Sequence, residues 1–285
     1  MRAEVRWRPP EDYRRPTVLR LREAPPVPVE AGIIMPSNLC GKSRREIEEL
    51  RFLVGNREEP LGRYFAVEAG EDAALRVEGD LSRFKRVGAG MDGGLLHVVG
   101  PVGPHAGAQM RSGLLVVEGT AGDWLGAHLE GGKIVVLGDA GHRAGAAYCG
   151  YATGMKGGLI IISGRAGQMV GARMRRGIIA VGGGALDFAG YGMRGGTLLV
   201  CGEAGERVGA TMRRGTAILF SPCELLPTFR YGGLFTPLFW LVLKNYLDRE
   251  GFRLPEEAVR SGFHRFTGDH NELGKGEVLI WAGTN

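Results

Sequence analysis

The sequence predicts an all-β fold: a right-handed parallel β-helix, or solenoid, of about 19-residue glycine-rich coils with short helical segments flanking it at both ends. Three observations predict it. Glycine fills 49 of 285 positions, about 17% against a usual 7% or so, in a chain that is still 44% hydrophobic. Glycines open successive apolar runs at Gly94, Gly113, Gly132, Gly158, Gly177, Gly196 and Gly215, in steps of 19, 19, 26, 19, 19 and 19. Within every run, apolar residues alternate as the inward face of a β-strand requires.

A polar, proline-rich stretch comes first in the chain. SRREIEELRF then reads as a helix, with Ser43 and Glu46 as its capping box. A faint unit runs from Leu75 to Gly93 before the regular coils begin. The one long step is 19 + 7, an insertion at Tyr148–Gly154 that contains Cys149. The second and fourth positions after each leading glycine are Leu96/Val98, Leu115/Val117, Ile134/Val136, Ile160/Ile162, Ile179/Val181, Leu198/Val200 and Ala217/Leu219. A single coil cannot bury these fourteen side chains, whereas stacked coils about 4.8 Å apart bury them continuously. The period is no multiple of six, which excludes the left-handed hexapeptide helix, and no Asp recurs as calcium-binding nonapeptide rolls require.

The repeat stops after Phe220. Thr236 as N-cap and Pro237 at the first helical position predict an amphipathic helix to Glu250, closed by Gly251 and placed to cap the open end of the stack. GFHRFTGDHNELGKGEVLIW reads as two strands around a polar turn. The expected organisation is an N-terminal extension with its lead-in helix (1–60), the repeats (61–220) and a C-terminal cap (221–285).

Composition excludes several functions. A net charge of +5 suits acidic partners but lacks the density of a dedicated nucleic-acid binder. Cys40, Cys149, Cys201 and Cys223 form no CxxC, so they read as reduced thiols of a cytoplasmic protein and not as an iron–sulfur or zinc site. No apolar run approaches the roughly 20 residues of a membrane span, and the charged start is no signal peptide. GKS at Gly41–Ser43 lacks the earlier glycine of a phosphate loop, since that position is Pro36. The middle histidines His97, His105, His128 and His142 occupy four different repeat offsets and form no column, although His128 and His142 could meet across coils. Cys149 reads as a packing cysteine. No convergent acid–base set emerges, so no catalytic, cofactor or metal residue is assigned in this chain.

Two outer columns are more informative. The residues two before each leading glycine end in a basic run, Lys156, Arg175, Arg194 and Arg213, thickened by Arg176 and Arg214. Such a stripe is either a solvated corner or a docking strip for an acidic partner or a polyanionic coenzyme tail. The third strand position, which alternation points outward, carries His97, Val116, Val135, Ile161, Ala180, Leu199 and Ile218. An apolar ladder of that length needs a cover. Because a fourteen-residue helix reaches only about 21 Å, burial by a partner is expected over part of it. The candidate interface is therefore Val116, Val135, Ile161, Leu199 and Ile218 together with the basic run.

The GxxxGAxMxxG frame resembles the glycine-rich β-helix shared by the glutamate synthase C-terminal region and the C subunit of formylmethanofuran dehydrogenase. Three features select the second. The chain carries no amidotransferase or flavin-barrel region, MPSNLCGKSRREIEELRFLVGN is similar to that family's lead-in, and RFTGDHNELGKGEVLIW is similar to its closing element. The resemblance covers roughly residues 30–281, and LLPTFRYGG leans toward the C subunit of the bacterial formyltransferase/hydrolase complex. It implies a non-catalytic scaffold for formyl transfer between a furan coenzyme and tetrahydromethanopterin. Its implied partners are an amidohydrolase-like A subunit, a molybdopterin-oxidoreductase-like B subunit, and a formyltransferase-like or D subunit. Molybdopterin, tungsten or zinc would sit on those partners only. The alternative expectation is a freestanding glutamate-synthase-like domain, or an independent enzyme with its site near residues 148–154.

Overall fold

The computed structural model describes residues 2–10, 13–258 and 262–283. The N-terminal part contributes β1 (Glu4–Val5), β2 (Thr17–Leu21), β3 (Val29–Glu30), α1 (Pro36–Leu39), α2 (Arg44–Glu49), β4 (Arg51–Val54), β5 (Arg57–Pro60), α3 (Leu61–Tyr64) and β6 (Phe65–Glu68). The expected capping box is present on α2, with Ser43 accepting from the Glu46 amide while the Glu46 carboxylate accepts from Ser43. That helix is shorter than expected, because Arg51 and Phe52 already pair in a strand.

The strands β7 (Ala74–Glu78) and β8 (Phe84–Lys85) occupy the faint unit. The regular coils supply β9 (Asp92–Val99), β10 (Ser112–Val117), β11 (Lys133–Val136), β12 (Leu159–Ile162), β13 (Ile178–Val181), β14 (Arg194–Val200) and β15 (Arg214–Leu219). Each pairs in parallel with its neighbour, so that Leu96, Leu115, Ile134, Ile160, Ile179, Leu198 and Ala217 share one row. A second parallel seam of single bridges joins Val102, Ala121, Ala140, Ala166, Ala185 and Ala204. All fourteen alternating positions are fully buried between these seams, as are Met91, Met110, Leu129, Met155, Met174, Met193 and Met212.

Inward side chains explain the leading glycines, a methionine of the preceding coil in five of the seven cases. Gly132 has φ +78°, and a Cβ there would stand 2.8 Å from both the Gly113 carbonyl oxygen and Met110 Cε. Only a residue without a side chain lets the coil below bring its methionine inward at that corner.

After the coils come β16 (Arg230–Phe235), α4 (Phe239–Arg249), β17 (Phe252–Arg253), β18 (Phe263–Gly268) and β19 (Lys275–Trp281). As expected, β18 and β19 pair across a polar turn, and β19 then extends the parallel stack beside β15. One sheet of thirteen strands results, in the order β16-β18-β19-β15-β14-β13-β12-β11-β10-β9-β7-β2-β6. It crosses both expected boundaries, since β2 lies within 1–60 and β16, β18 and β19 lie within 221–285. The strand β2 is a coil that the sequence reading did not find.

The C-terminal helix differs from expectation in two ways. It begins at Phe239 with Leu238 as N-cap and no side-chain cap, two residues after Pro237. It also lies along the outer face of the sheet and not across its end. Trp240, Leu243 and Leu247 pack there with Val116, Val135, Ile161, Ala180, Leu199 and Ile218, while the hairpin of β18 and β19 covers the end. The closure at Gly251, φ +85°, is as read.

Candidate functional site

Three surfaces follow from the sequence reading: the insertion corner, the outward ladder and the basic column. At the insertion corner every coil turns through a non-glycine residue in the left-handed region. Arg86, His105, Trp124, Arg143, Met169, Phe188 and Arg207 have φ between 59 and 65°. Such a conformation costs about 1–2 kcal/mol outside glycine, and hydrogen bonds to the next coil hold it. Trp124 N donates to His142 O at 2.8 Å and Arg143 N to Gln168 O at 2.7 Å. Beside them, Asp123 Oδ1 accepts from His142 N at 2.7 Å, His142 Nδ1 from Gln168 N at 3.0 Å, and Asp187 Oδ1 from Glu206 N at 3.0 Å.

The insertion folds over this column. His128 Nε2 accepts from the Tyr148 amide at 2.9 Å, and His105 Nδ1 lies 3.0 Å from the Tyr148 hydroxyl. Trp124 packs against both His105 and Tyr148, with the Arg143 guanidinium 4.8 Å above its ring. Arg143 Nη1 donates to Cys149 Sγ at 3.3 Å and Arg173 Nη1 to Tyr151 O at 2.8 Å, and Arg143, Cys149 and Arg173 line a half-open cleft of about 310 Å³. Burial lowers the proton affinity of His105 and His128 and raises that of the Tyr148 hydroxyl, so the three rings sit there uncharged at neutral pH. His128 and His142 do not converge: each is spent on an amide of a neighbouring coil. Among the described residues no group of three His, Cys, Asp or Glu side chains is arranged to hold a metal ion. The geometry is that of a clamp on the insertion, and the Arg143–Cys149 contact is a feature the sequence reading missed, since six residues separate the pair.

The outward ladder corrects an expectation. Val116, Val135, Ile161, Leu199 and Ile218 are all buried by the chain's own termini, and so they offer a partner no free face. Three elements share the cover. The helix α4 lies over the ladder and is anchored by Trp240 Nε1 donating to Ala258 O at 3.0 Å. Lys133 ties the helix end to the sheet, 2.7 Å from the Glu250 carboxylate. The N-terminal strand β1 pairs with β17 and brings Ala3, Val5, Trp7 and Tyr13 onto the same layer. One fourteen-residue helix is indeed too short, but the N-terminus supplies the remainder. The polar member of the column, His97, is only 2% exposed. Its Nε2 meets Glu118 at 2.8 Å and its Nδ1 the Tyr13 hydroxyl at 3.1 Å, with the Trp7 ring 4.4 Å away. Burial, partly offset by Glu118, lowers its proton affinity, and burial pushes Tyr13 up to about 12.

The basic column is in register: Arg175 N donates to Met155 O, Arg194 N to Met174 O and Arg213 N to Met193 O. Lys156 pairs with Glu130 at 2.8 Å and Arg213 with Glu272 at 2.8 Å. Arg175, Arg176, Arg194 and Arg214 form no ion pair among the described residues. No helix among the described residues is long and apolar enough to cross a membrane.

Taken together, parallel strands stacked in register, a self-covered outer face and a row of cations define a repeat protein built around one long sheet. No family model matches the chain. It is similar to a chain of the crystal structure of the formyltransferase/hydrolase complex (FhcABCD) from Methylorubrum extorquens with methylofuran. The TM-score is 0.84 and the identity 37%, over 92% of this chain and 98% of that one. It is also similar to the C subunit of the molybdenum-containing formylmethanofuran dehydrogenase 1 of Methanosarcina barkeri, 35% identical over 93 residues, which are 31% of each chain. A third relative is the C subunit of the tungsten-containing formylmethanofuran dehydrogenase 2 of Methanothermobacter wolfeii, 37% identical over 90 residues, 30% of this chain and 33% of that one. The matched stretch spans about a third of these curated relatives. The chain belongs to the family of formylmethanofuran dehydrogenase C subunits, which includes the C subunit of the bacterial formyltransferase/hydrolase complex.

Proposed function

We propose that the chain is the non-catalytic scaffold subunit of a one-carbon complex that moves formyl groups between a furan coenzyme and tetrahydromethanopterin. The likeness over nearly the whole of both chains to a member of the formyltransferase/hydrolase complex carries this reading. The insertion corner supports it, because its histidines and arginines are engaged in holding backbone and ring partners. In this reading the stacked coils are a right-handed parallel β-helix, the hand that parallel crossovers take in nearly all cases. Residues 61–220 carry its repeats, and β2 and β19 lengthen the stack from the flanking segments 1–60 and 221–285. The protein works in the cytoplasm without nucleic acid or membrane. Amidohydrolase-like, molybdopterin-oxidoreductase-like and formyltransferase-like subunits supply the chemistry, and any pterin-bound metal or zinc is theirs. The basic column of Lys156, Arg175, Arg194 and Arg213 faces an acidic surface of that assembly.

Native pull-down of the chain from its own host, with mass spectrometry of what stays bound, tests this. The expected result is recovery of those subunits in a fixed ratio. A chain recovered alone, or one that turns over formyl-coenzyme or glutamine by itself, would overturn it.

A further inference from the structure

Two shallow surface depressions of about 410 and 330 Å³ share Phe239 and follow one another along α4, a groove open to solvent. Its floor includes Ile178, Thr197 and Glu277, members of a single register row that runs Ile178, Thr197, Thr216, Glu277 across β13, β14, β15 and β19. Glu277 is already satisfied by Arg265 at 3.0 Å and by the Thr216 hydroxyl at 2.8 Å. One wall is apolar. Phe239, Val242 and Tyr246 are spaced three and four apart, hence on one helical face, and they are 39, 72 and 40% exposed. Two residues before the floor row in the chain stand Arg176, just ahead of β13, and Arg214 and Lys275, which pair in register with each other and, through Arg214, with Arg194. None of these four cations forms an ion pair among the described residues. At rungs about 4.8 Å apart they repel one another.

An apolar helix face left in water beside a row of uncompensated cations is costly on both counts, and one occupant relieves both. We infer that this groove docks an acidic amphipathic helix of a partner protein in the complex. Its apolar side would lie against Phe239, Val242 and Tyr246 and its carboxylates against Arg176, Arg194, Arg214 and Lys275. Four rungs span about 14 Å, room for roughly ten residues of helix. Charge argues against a second copy of this chain, which is basic overall at +5. The inference rests on the scaffold reading.

The test uses the chain expressed with its complex. Val242→Glu places a carboxylate on the apolar wall at a position too exposed to serve the core, and Arg176→Glu with Arg214→Glu reverses the cationic row. Both are expected to lower recovery of one partner at least about tenfold, while the melting temperature of the variant chain stays that of the wild type. Leu53→Glu, at an exposed position on the distant β4, should change nothing. A photo-crosslinking residue at position 242 should capture an acidic helical segment of that partner. If the wild type recovers the complex and both variants recover it equally, the groove assignment fails while the scaffold reading stands. Capture of a second copy of this chain also overturns it. If the wild type recovers no partner, the scaffold reading fails and the groove assignment with it.

Discussion

The two faces of the long sheet are both apolar and both buried, but for different reasons. On the inner face, Leu115, Ile134, Ile160, Ile179 and Leu198 meet the far side of neighbouring coils, as Ile134 meets Gly107 and Ile160 meets Gly126, within about two repeats of sequence. On the outer face, Val116, Val135, Ile161 and Leu199 meet α4, β17 and the first residues of the chain, up to two hundred residues away. The inner layer is the product of a repeat, whereas the outer layer depends on two unrelated termini reaching the same place and pairing with each other. An apolar column therefore shows that a face is covered without showing by what.

The largest expected effect separates the two layers. Trp240→Ala should cost about 3–5 kcal/mol and Ile160→Ala about 2–5 kcal/mol. The distribution should differ more than the totals. Hydrogen exchange should show Trp240→Ala losing protection in α4, β17 and β1 first, while Ile160→Ala lowers protection across β11, β12 and β13. Equal loss everywhere in both variants would mean that the termini and the stack unfold as one unit.

A smaller effect probes the inner layer alone. Gly132→Ala forces a side chain into a left-handed residue against the Gly113 carbonyl and Met110. It should destabilise the chain by about 1–3 kcal/mol in denaturant titration. A neutral result would show that the coil below shifts to make room.

The smallest effect concerns the outer layer and is one of pH. His97 is buried beside Glu118, Tyr13 and Trp7, with Arg76 and Glu78 also acting on it, and burial holds its proton affinity below the ordinary value near 6.5. Between that lowered value and 6.5, the unfolded chain binds a proton that the folded chain refuses. Its contribution to stability is thus complete above about pH 6.5 and is lost as pH falls through the lowered value. The same sign holds for His105 and His128 at the insertion corner. Fluorescence of Trp7 should therefore report loosening of the N-terminal cover as pH is lowered from 7.5 to 5, and His97→Gln should flatten that response. An unchanged slope in His97→Gln would assign the effect to the other two histidines.

Much of this was legible because repeats make local signals add. The capping box at Ser43 and Glu46, the insertion at residues 148–154 and the closing hairpin each carry their own short-range chemistry, and each is present. What failed had no such chemistry. The strand β2 joins the stack without a leading glycine. Pro237 is buried, yet the helix begins after it at Phe239. The groove beside α4 unites residues from four strands and a helix, and nothing in their spacing announces it.

By itself the sequence determined the inner core: a 19-residue period with two inward positions per strand admits one stacked register, because a slip of one residue would turn every buried side chain outward. Only the tertiary structure decided which segments cover the other face. The pairing of Glu4–Val5 with Phe252–Arg253 closes a loop of nearly the whole chain. Contacts at that separation are set by the shape and polarity of the assembled surface and not by any local pattern.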